Sequence, residues 1–184
     1  VTVRGTGDLM AACHCLEIAS AQIKSAILLA GLNARGTTIV SEPHASRDHS
    51  ESMLRHFGVS VTQEFKDDRS HRVHLADGAS LRAADIVVPS DPSSAAFAIV
   101  AALITPGSDI TLKGISMNPL RTGLITTLIE MGASIKKSNQ RIEGGEAVAD
   151  LRVQQSRLRG ITVPPDRAAS MIDEYPILTV AAAS

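Results

Sequence analysis

The sequence predicts an α/β fold, in the α+β sense of mixed helices and sheets, made by repeating one helix–strand–helix–strand unit. Apolar residues switch between helical spacing and short strand-like runs twice in the same order. The glycines that close matching turns, Gly36 with Gly107 and Gly58 with Gly132, lie 71 and 74 residues apart. An apolar fraction of 44% with 20% charged residues is that of a globular chain, not a disordered or fibrous one.

In the first unit, Ser20-Ala21-Gln22 opens a helix whose Ile23, Ala26, Ile27, Ala30 and Gly31 recur at helical spacing. Thr37-Thr38-Ile39-Val40 reads as a strand after the Gly36 turn. Ser46 is placed to cap a second helix, with Met53, Leu54 and Phe57 on its core side and Gly58 ending it. Val59-Ser60-Val61 then alternates as a strand.

The second unit opens on Asp91-Pro92, an N-cap and a first-turn proline, for an apolar helix from Ala95 to Ile104. Pro106-Gly107 breaks it, and Asp109 to Leu112 is strand-like. Asn118-Pro119 caps the next helix, with Leu120, Leu124, Leu128 and Met131 on one side, and Gly132 stops it before the strand beginning Ala133-Ser134-Ile135. Tyr175 to Ser184 reads as the first helix of a third unit. The helices carrying Ile27-Leu28-Leu29 and Ile99-Val100-Ala101-Ala102 are apolar nearly all round and are expected at the centre of a packed unit.

A formal net charge of −1 sets up no general attraction to nucleic acid or anionic lipid. Three Phe, one Tyr and no Trp leave little for base stacking, so no nucleic-acid partner is expected. No apolar run approaches the roughly 18 residues of a membrane span. Cys13 and Cys15 are the only cysteines. Two apart on a strand, they sit about 6.6 Å from each other along the chain, a poor fit to a disulfide. No second Cys/His pair stands at ligand spacing, so no metal is expected, and the pattern suits a reducing cytoplasm. The chain opens on Val1 inside the strand-like Val1-Thr2-Val3-Arg4 and stops inside an apolar helix, so it is expected to be part of a longer protein.

Chemistry is expected at the helix N-termini. Ser20/Gln22, Asp91/Ser93/Ser94 and Asp173/Glu174 hold matching places at the start of each unit's first helix. Free N–H groups and a partial positive charge there suit a phosphate or a carboxylate. Arg47, at the start of the second helix, can add a bidentate clamp. Capping accounts equally for Ser20 and Asp91, and a solvated amide and an Arg47–Asp48 pair for the others, so both readings stay open. Asp173 and Glu174 stand at the mouth of the apolar run Ile177 to Ala183, where acids cap, pair or do chemistry. The histidines His44, His49, His56, His71 and His74 read as surface or capping residues, Lys66-Asp67-Asp68-Arg69 as a solvated turn, and Gly144-Gly145 as a turn.

Five segments carry a family likeness: Ser20-Ala21-Gln22-Ile23-Lys24-Ser25-Ala26, Ser46-Arg47-Asp48-His49, Asp91-Pro92-Ser93-Ser94-Ala95-Ala96-Phe97, Met117-Asn118-Pro119-Leu120-Arg121-Thr122-Gly123 and Ser170-Met171-Ile172-Asp173-Glu174-Tyr175-Pro176. Together they resemble the 5-enolpyruvylshikimate-3-phosphate synthase family, in the bacterial form called class II, which includes glyphosate-tolerant members. The likeness runs the length of the chain. It implies an enolpyruvyl-transferase fold of two pseudo-threefold domains, each of three βαβαββ units, with only the central part present. Residues 1–88 would be the later part of one domain and residues 89–184 the opening of the other, with the crossover near Val87 to Asp91.

The resemblance also implies transfer of the enolpyruvyl group of phosphoenolpyruvate to the 5-hydroxyl of shikimate 3-phosphate, by addition and elimination, with no metal or organic cofactor. Matched by position, Ser20 and Ala21 would bind shikimate 3-phosphate, Gln22 would touch both substrates, and Arg47 would hold the shikimate phosphate. Asp173 would bind substrate and take the hydroxyl proton as general base, with Glu174 in support. Many relatives carry a hydroxyl residue at the Ala21 position, so only backbone can serve there. The family's early Lys-Ser…Arg motif, its phosphoenolpyruvate-binding Arg and its late Lys- and Arg-containing motifs would lie before Val1 and after Ser184. The remaining N- and C-terminal parts of the same enzyme are therefore the expected partners, and this stretch alone is expected to be inactive. The alternatives are the sister family acting on a UDP-sugar, against which the Ser-Arg-Asp-His and Asp-Pro-Ser-Ser segments argue, and a non-catalytic repeat scaffold, which the scarcity of aromatics disfavours.

Overall fold

The structure, a computed structural model, describes residues 2, 4–5, 7–66 and 70–184. The strand expected at Val1 to Arg4 and the turn at Lys66 to Arg69 lie partly outside those residues. The chain divides into two compact units, Val1–Asp85 and Ile86–Ser184.

The first unit runs β1 (Cys13–Cys15), α1 (Ala21–Gly31), β2 (Thr38–Glu42), α2 (His49–His56), β3 (Val61–Phe65) and β4 (His71–Leu75). Its sheet has the order β1-β2-β4-β3, with β1 parallel to β2 and the other pairs antiparallel. A parallel pair needs a crossover, and α1 supplies it. Thr38, Val40 and Glu42 point inward from β2, and His71, Val73 and Leu75 from β4, facing each other in register. Leu28, Leu54, Val59 and Val61 complete the apolar core. Gly31 lets α1 lie close on the sheet, because a Cβ there would sit 2.7 Å from Thr38 Oγ1.

The second unit repeats the order with α3 (Pro92–Ile104), β5 (Asp109–Ser116), α4 (Gly123–Glu130), β6 (Ser134–Glu143) and β7 (Glu146–Gln154), then α5 (Tyr175–Ala183). Its sheet order β5-β7-β6 matches β2-β4-β3. A parallel bridge from Ser90 to Ile115 stands where β1 pairs with β2. The βαβαββ pattern therefore recurs, as expected. Ile99, Leu103, Leu124, Leu128, Leu151, Val153 and Met171 form the core, and Gly144-Gly145 is the β6–β7 turn, both residues at positive φ.

Several local expectations shift. The third strand starts at Val61 rather than Val59. Asn118 caps a short 3₁₀ turn, Pro119–Arg121, and α4 begins only at Gly123. The helix α1 is not enclosed: Ile23 and Leu29 are 51% and 54% exposed, since one helix lying on one sheet buries one face. Cys13 and Cys15 are free and exposed. No helix among the described residues is long and apolar enough to cross a membrane.

Candidate functional site

Ser20 is the N-cap of α1, and its hydroxyl accepts from Ile23 N–H at 3.4 Å. The same hydroxyl lies 3.4 Å from Gln22 Oε1. A neutral cap leaves the end of the helix without a charge of its own, and Gln22 is exposed there. Ala21 is half-buried, and its carbonyl accepts from Ser25 Oγ at 2.7 Å. Ser25 Oγ also meets Ser50 Oγ of α2 at 2.6 Å, which pins the two helix starts together. Arg47 lies two residues before α2 rather than in its first turn, and is half-buried.

Ser46 does not cap α2, as its position suggested; Asp48 holds that place, without a side-chain cap bond. The Ser46 hydroxyl instead donates to Glu42 Oε2 at 2.7 Å, and its N–H to Glu42 Oε1 at 3.1 Å. Glu42 belongs to a buried charged cluster. Lys24 Nζ lies 2.8 Å from Glu42 Oε1 and 2.8 Å from Glu51 Oε1, with all three side chains at 0% exposure. Lys24 also donates to the Ser46 carbonyl at 3.2 Å. His71 Nδ1 donates to Glu42 Oε1 at 3.1 Å and the ring stacks on Phe65. Burial raises the Glu42 carboxyl, but bonds from His71, Lys24 and Ser46 outweigh it and hold the group at about 2.

His71 is thus a buried partner of a carboxylate and not the surface or capping residue expected. The cluster was missed as a whole, although a signal existed. Glu42 occupies the inward place after Thr38 and Val40, and His71 the inward place before Val73 and Leu75. Lys24 lies one turn before Leu28 on the buried side of α1.

In the second unit the matching helix start is closed by its own acid. Asp91 caps α3 by accepting from Ser93 N–H at 3.2 Å and Ser94 N–H at 3.0 Å. Arg121 Nη2 donates to Asp91 Oδ1 at 3.0 Å and to Ser93 Oγ at 2.7 Å. Partial burial raises the Asp91 carboxyl, and the bonds from Ser94 and Ser93 with the Arg121 charge lower it further than that. Here capping accounts for the residues expected at an anion site.

Asp173 and Glu174 lie on a 3₁₀ turn, Ile172–Glu174, directly before α5. The turn separates them: Asp173 faces solvent, whereas Glu174 is 5% exposed and accepts from Ser93 Oγ. The segment before them is fixed on α4. Arg167 makes a bidentate pair with Glu130 at 2.6 and 2.7 Å, and Met171 is buried against Thr127. Gly123 permits the approach, since a Cβ there would fall on the Ser170 hydroxyl and 3.0 Å from Met171 Cβ.

An apolar hollow of 420 Å³ in the first unit is lined by Leu9, Met10, Ile23, Ile27 and their neighbours. No Lys or Arg lines it, and it is not the candidate site.

The family model for EPSP synthase (3-phosphoshikimate 1-carboxyvinyltransferase) matches residues 1–184. A 3-phosphoshikimate 1-carboxyvinyltransferase of Granulibacter bethesdensis is 63% identical over 184 residues, covering 100% of this chain and 40% of that protein. One of Gluconobacter oxydans is 60% identical over 183 residues, covering 100% of this chain and 41% of the relative. The solved EPSP synthase of Acinetobacter baumannii superimposes with a TM-score of 0.88 at 46% identity, over 96% of this chain and 39% of that one. The chain thus spans about two fifths of the length of the curated relatives it matches.

Proposed function

The chain belongs to the EPSP synthase family, and we propose that the enzyme containing it moves the enolpyruvyl group of phosphoenolpyruvate onto the 5-hydroxyl of shikimate 3-phosphate. The observation that carries this reading is the match of the whole chain, residues 1–184, to that one family. The two compact units would belong to the enzyme's two domains, working in the cytoplasm, and the rest of the enzyme would supply the Lys and Arg side chains that neutralise the second phosphate.

Each proposed role has a physical basis in its own unit. The start of α1 has a neutral cap, which leaves the partial positive charge of the helix end for a substrate anion beside Ser20, Ala21 and Gln22. Arg47 supplies a guanidinium able to hold two oxygens of the shikimate phosphate. Asp173 is the general base toward the 5-hydroxyl. As the hydroxyl oxygen bonds to the central carbon of phosphoenolpyruvate, Asp173 takes the hydroxyl proton while the C=C bond opens and its methylene carbon takes up a proton. In the later elimination the methyl gives a proton back as the C–O bond to phosphate breaks, which restores the double bond and releases phosphate. Glu174 is committed inward to Ser93, which leaves Asp173 as the outward acid of the pair.

The test is phosphate release from phosphoenolpyruvate plus shikimate 3-phosphate by the full-length enzyme, wild type against Asp173→Asn. The substitution is expected to lower kcat by roughly a hundredfold or more. A wild type inert with shikimate 3-phosphate but active on a UDP-sugar would move the activity to the sister family.

A further inference from the structure

The Lys24–Glu42–Glu51–His71 cluster is costly to bury, and the fold does not require it. Counted from the ends of their elements, Lys24, Glu42 and Glu51 correspond in the second unit to Ala95, Ser116 and Ile125. Those residues are also buried, at 8%, 7% and 3% exposure, and they close the same helix–strand–helix arrangement with no charge at all. Charges taken out of water in only one of two equivalent places call for a reason other than packing.

The hydrogen bonds supply one. Every polar group of Ser46 is held by the cluster: its N–H and hydroxyl by the two oxygens of Glu42, and its carbonyl by Lys24 Nζ. Ser46 immediately precedes Arg47. Lys24 stands on the first turns of α1, its N–H bonded to the Ser20 carbonyl at 3.0 Å, so the same ammonium ties the start of α1 to the Arg47 loop. We infer that Lys24, Glu42 and Ser46 are positioning residues that fix Arg47 relative to Ser20 and Gln22, and so set the affinity of this site for the phosphate of its acceptor substrate. None of the three touches substrate; they act through Arg47. The inference rests on the reading of Arg47 as a phosphate ligand given above.

The test compares steady-state constants of the full-length enzyme in wild type, Ser46→Ala, Glu42→Gln, Arg47→Ala and the Ser46→Ala/Arg47→Ala double variant. Ser46→Ala and Glu42→Gln are expected to raise KM for shikimate 3-phosphate roughly fivefold or more, while kcat and KM for phosphoenolpyruvate stay within about twofold. In the Arg47→Ala background, Ser46→Ala should then add nothing, because the residue through which it acts is gone. Equal increases in both KM values, effects that multiply in the double variant, or an unchanged KM in Ser46→Ala would each overturn the inference. An Arg47→Ala enzyme with unaltered KM for shikimate 3-phosphate would instead remove the role proposed for Arg47 itself. Should Glu42→Gln fail to fold, Ser46→Ala alters only a half-buried hydroxyl and keeps the test decisive.

Discussion

The two units place an eight-residue helix after a strand at the same spacing, and they fill the space beneath it in opposite ways. In the first, Lys24, Glu42 and Glu51 meet as ions with no exposure to water. In the second, Ile125 and Leu124 pack with Ala95 and Ile99 as an ordinary apolar core. The helix starts invert the contrast. Unit two spends a carboxylate, Asp91, on its own cap and its own arginine, Arg121. Unit one caps with the uncharged Ser20, which cannot neutralise an arginine. One repeat thus serves two ends: the second copy closes its helix start with an acid and an arginine, and the first leaves its helix start without a charge of its own.

The largest effect should come from breaking the buried ions on one side only. Lys24→Met leaves two carboxylates facing each other in the interior, and removing one partner of such a group costs on the order of 3–5 kcal/mol. Denaturant midpoints of the full-length enzyme would measure it. Grafting the second unit's solution, Lys24→Ala with Glu42→Ser, Glu51→Ile and His71→Val (Val148 faces Ser116 as His71 faces Glu42), should recover most of that loss, because apolar replacement of a whole buried ion group is often neutral or better. A quadruple variant as unstable as Lys24→Met would mean that the two units are not equivalent in packing.

How far this contrast could be read in advance depends on the range of the interactions. The repeat was legible because its marks are local: Gly58 and Gly132 end helices at positive φ, and Asp91-Pro92 caps and starts one. Asp173, Ser20 and Arg47 stood out through motifs and position. The cluster did not, because the partners of Glu42 lie 18 and 29 residues away along the chain, at Lys24 and His71. A lone Lys, Glu or His carries the same surface prior whether or not such a partner exists. Ser46 misled for a related reason. A serine before a helix is a good cap, and here a buried carboxylate competed for its hydroxyl and won.

A smaller effect distinguishes the units by pH. Glu42 is depressed from 4.5 to about 2 in the folded protein. A lowered carboxylate pKa contributes stability that is fully present above the unfolded value and is lost as pH falls through the folded value. The stability of the full-length enzyme should therefore decline between pH 4.5 and 2 with a share of up to about 1.4 kcal/mol per pH unit from this one proton. Glu42→Gln should lack that share of the slope. Equal slopes in wild type and variant would show that the bonds to Glu42 are not retained in solution.

The smallest stability effects should come from exchanging the helix caps, and these sharpen the comparison most. Asp91→Ser gives the second unit the first unit's cap. Serine and aspartate cap about equally well, and the Asp91–Arg121 pair is partly solvated, so the loss should stay under about 1 kcal/mol. Ser20→Asp makes the reverse exchange and should be equally mild for stability, since α1 keeps a good N-cap. Its consequence for binding is different. A carboxylate at the start of α1 would occupy the N–H groups and oppose an incoming phosphate, so KM for shikimate 3-phosphate should rise by roughly tenfold or more, while Asp91→Ser leaves it nearly unchanged. If both exchanges altered KM alike, the two helix starts would not differ in function, and the neutral cap of the first unit would need another explanation.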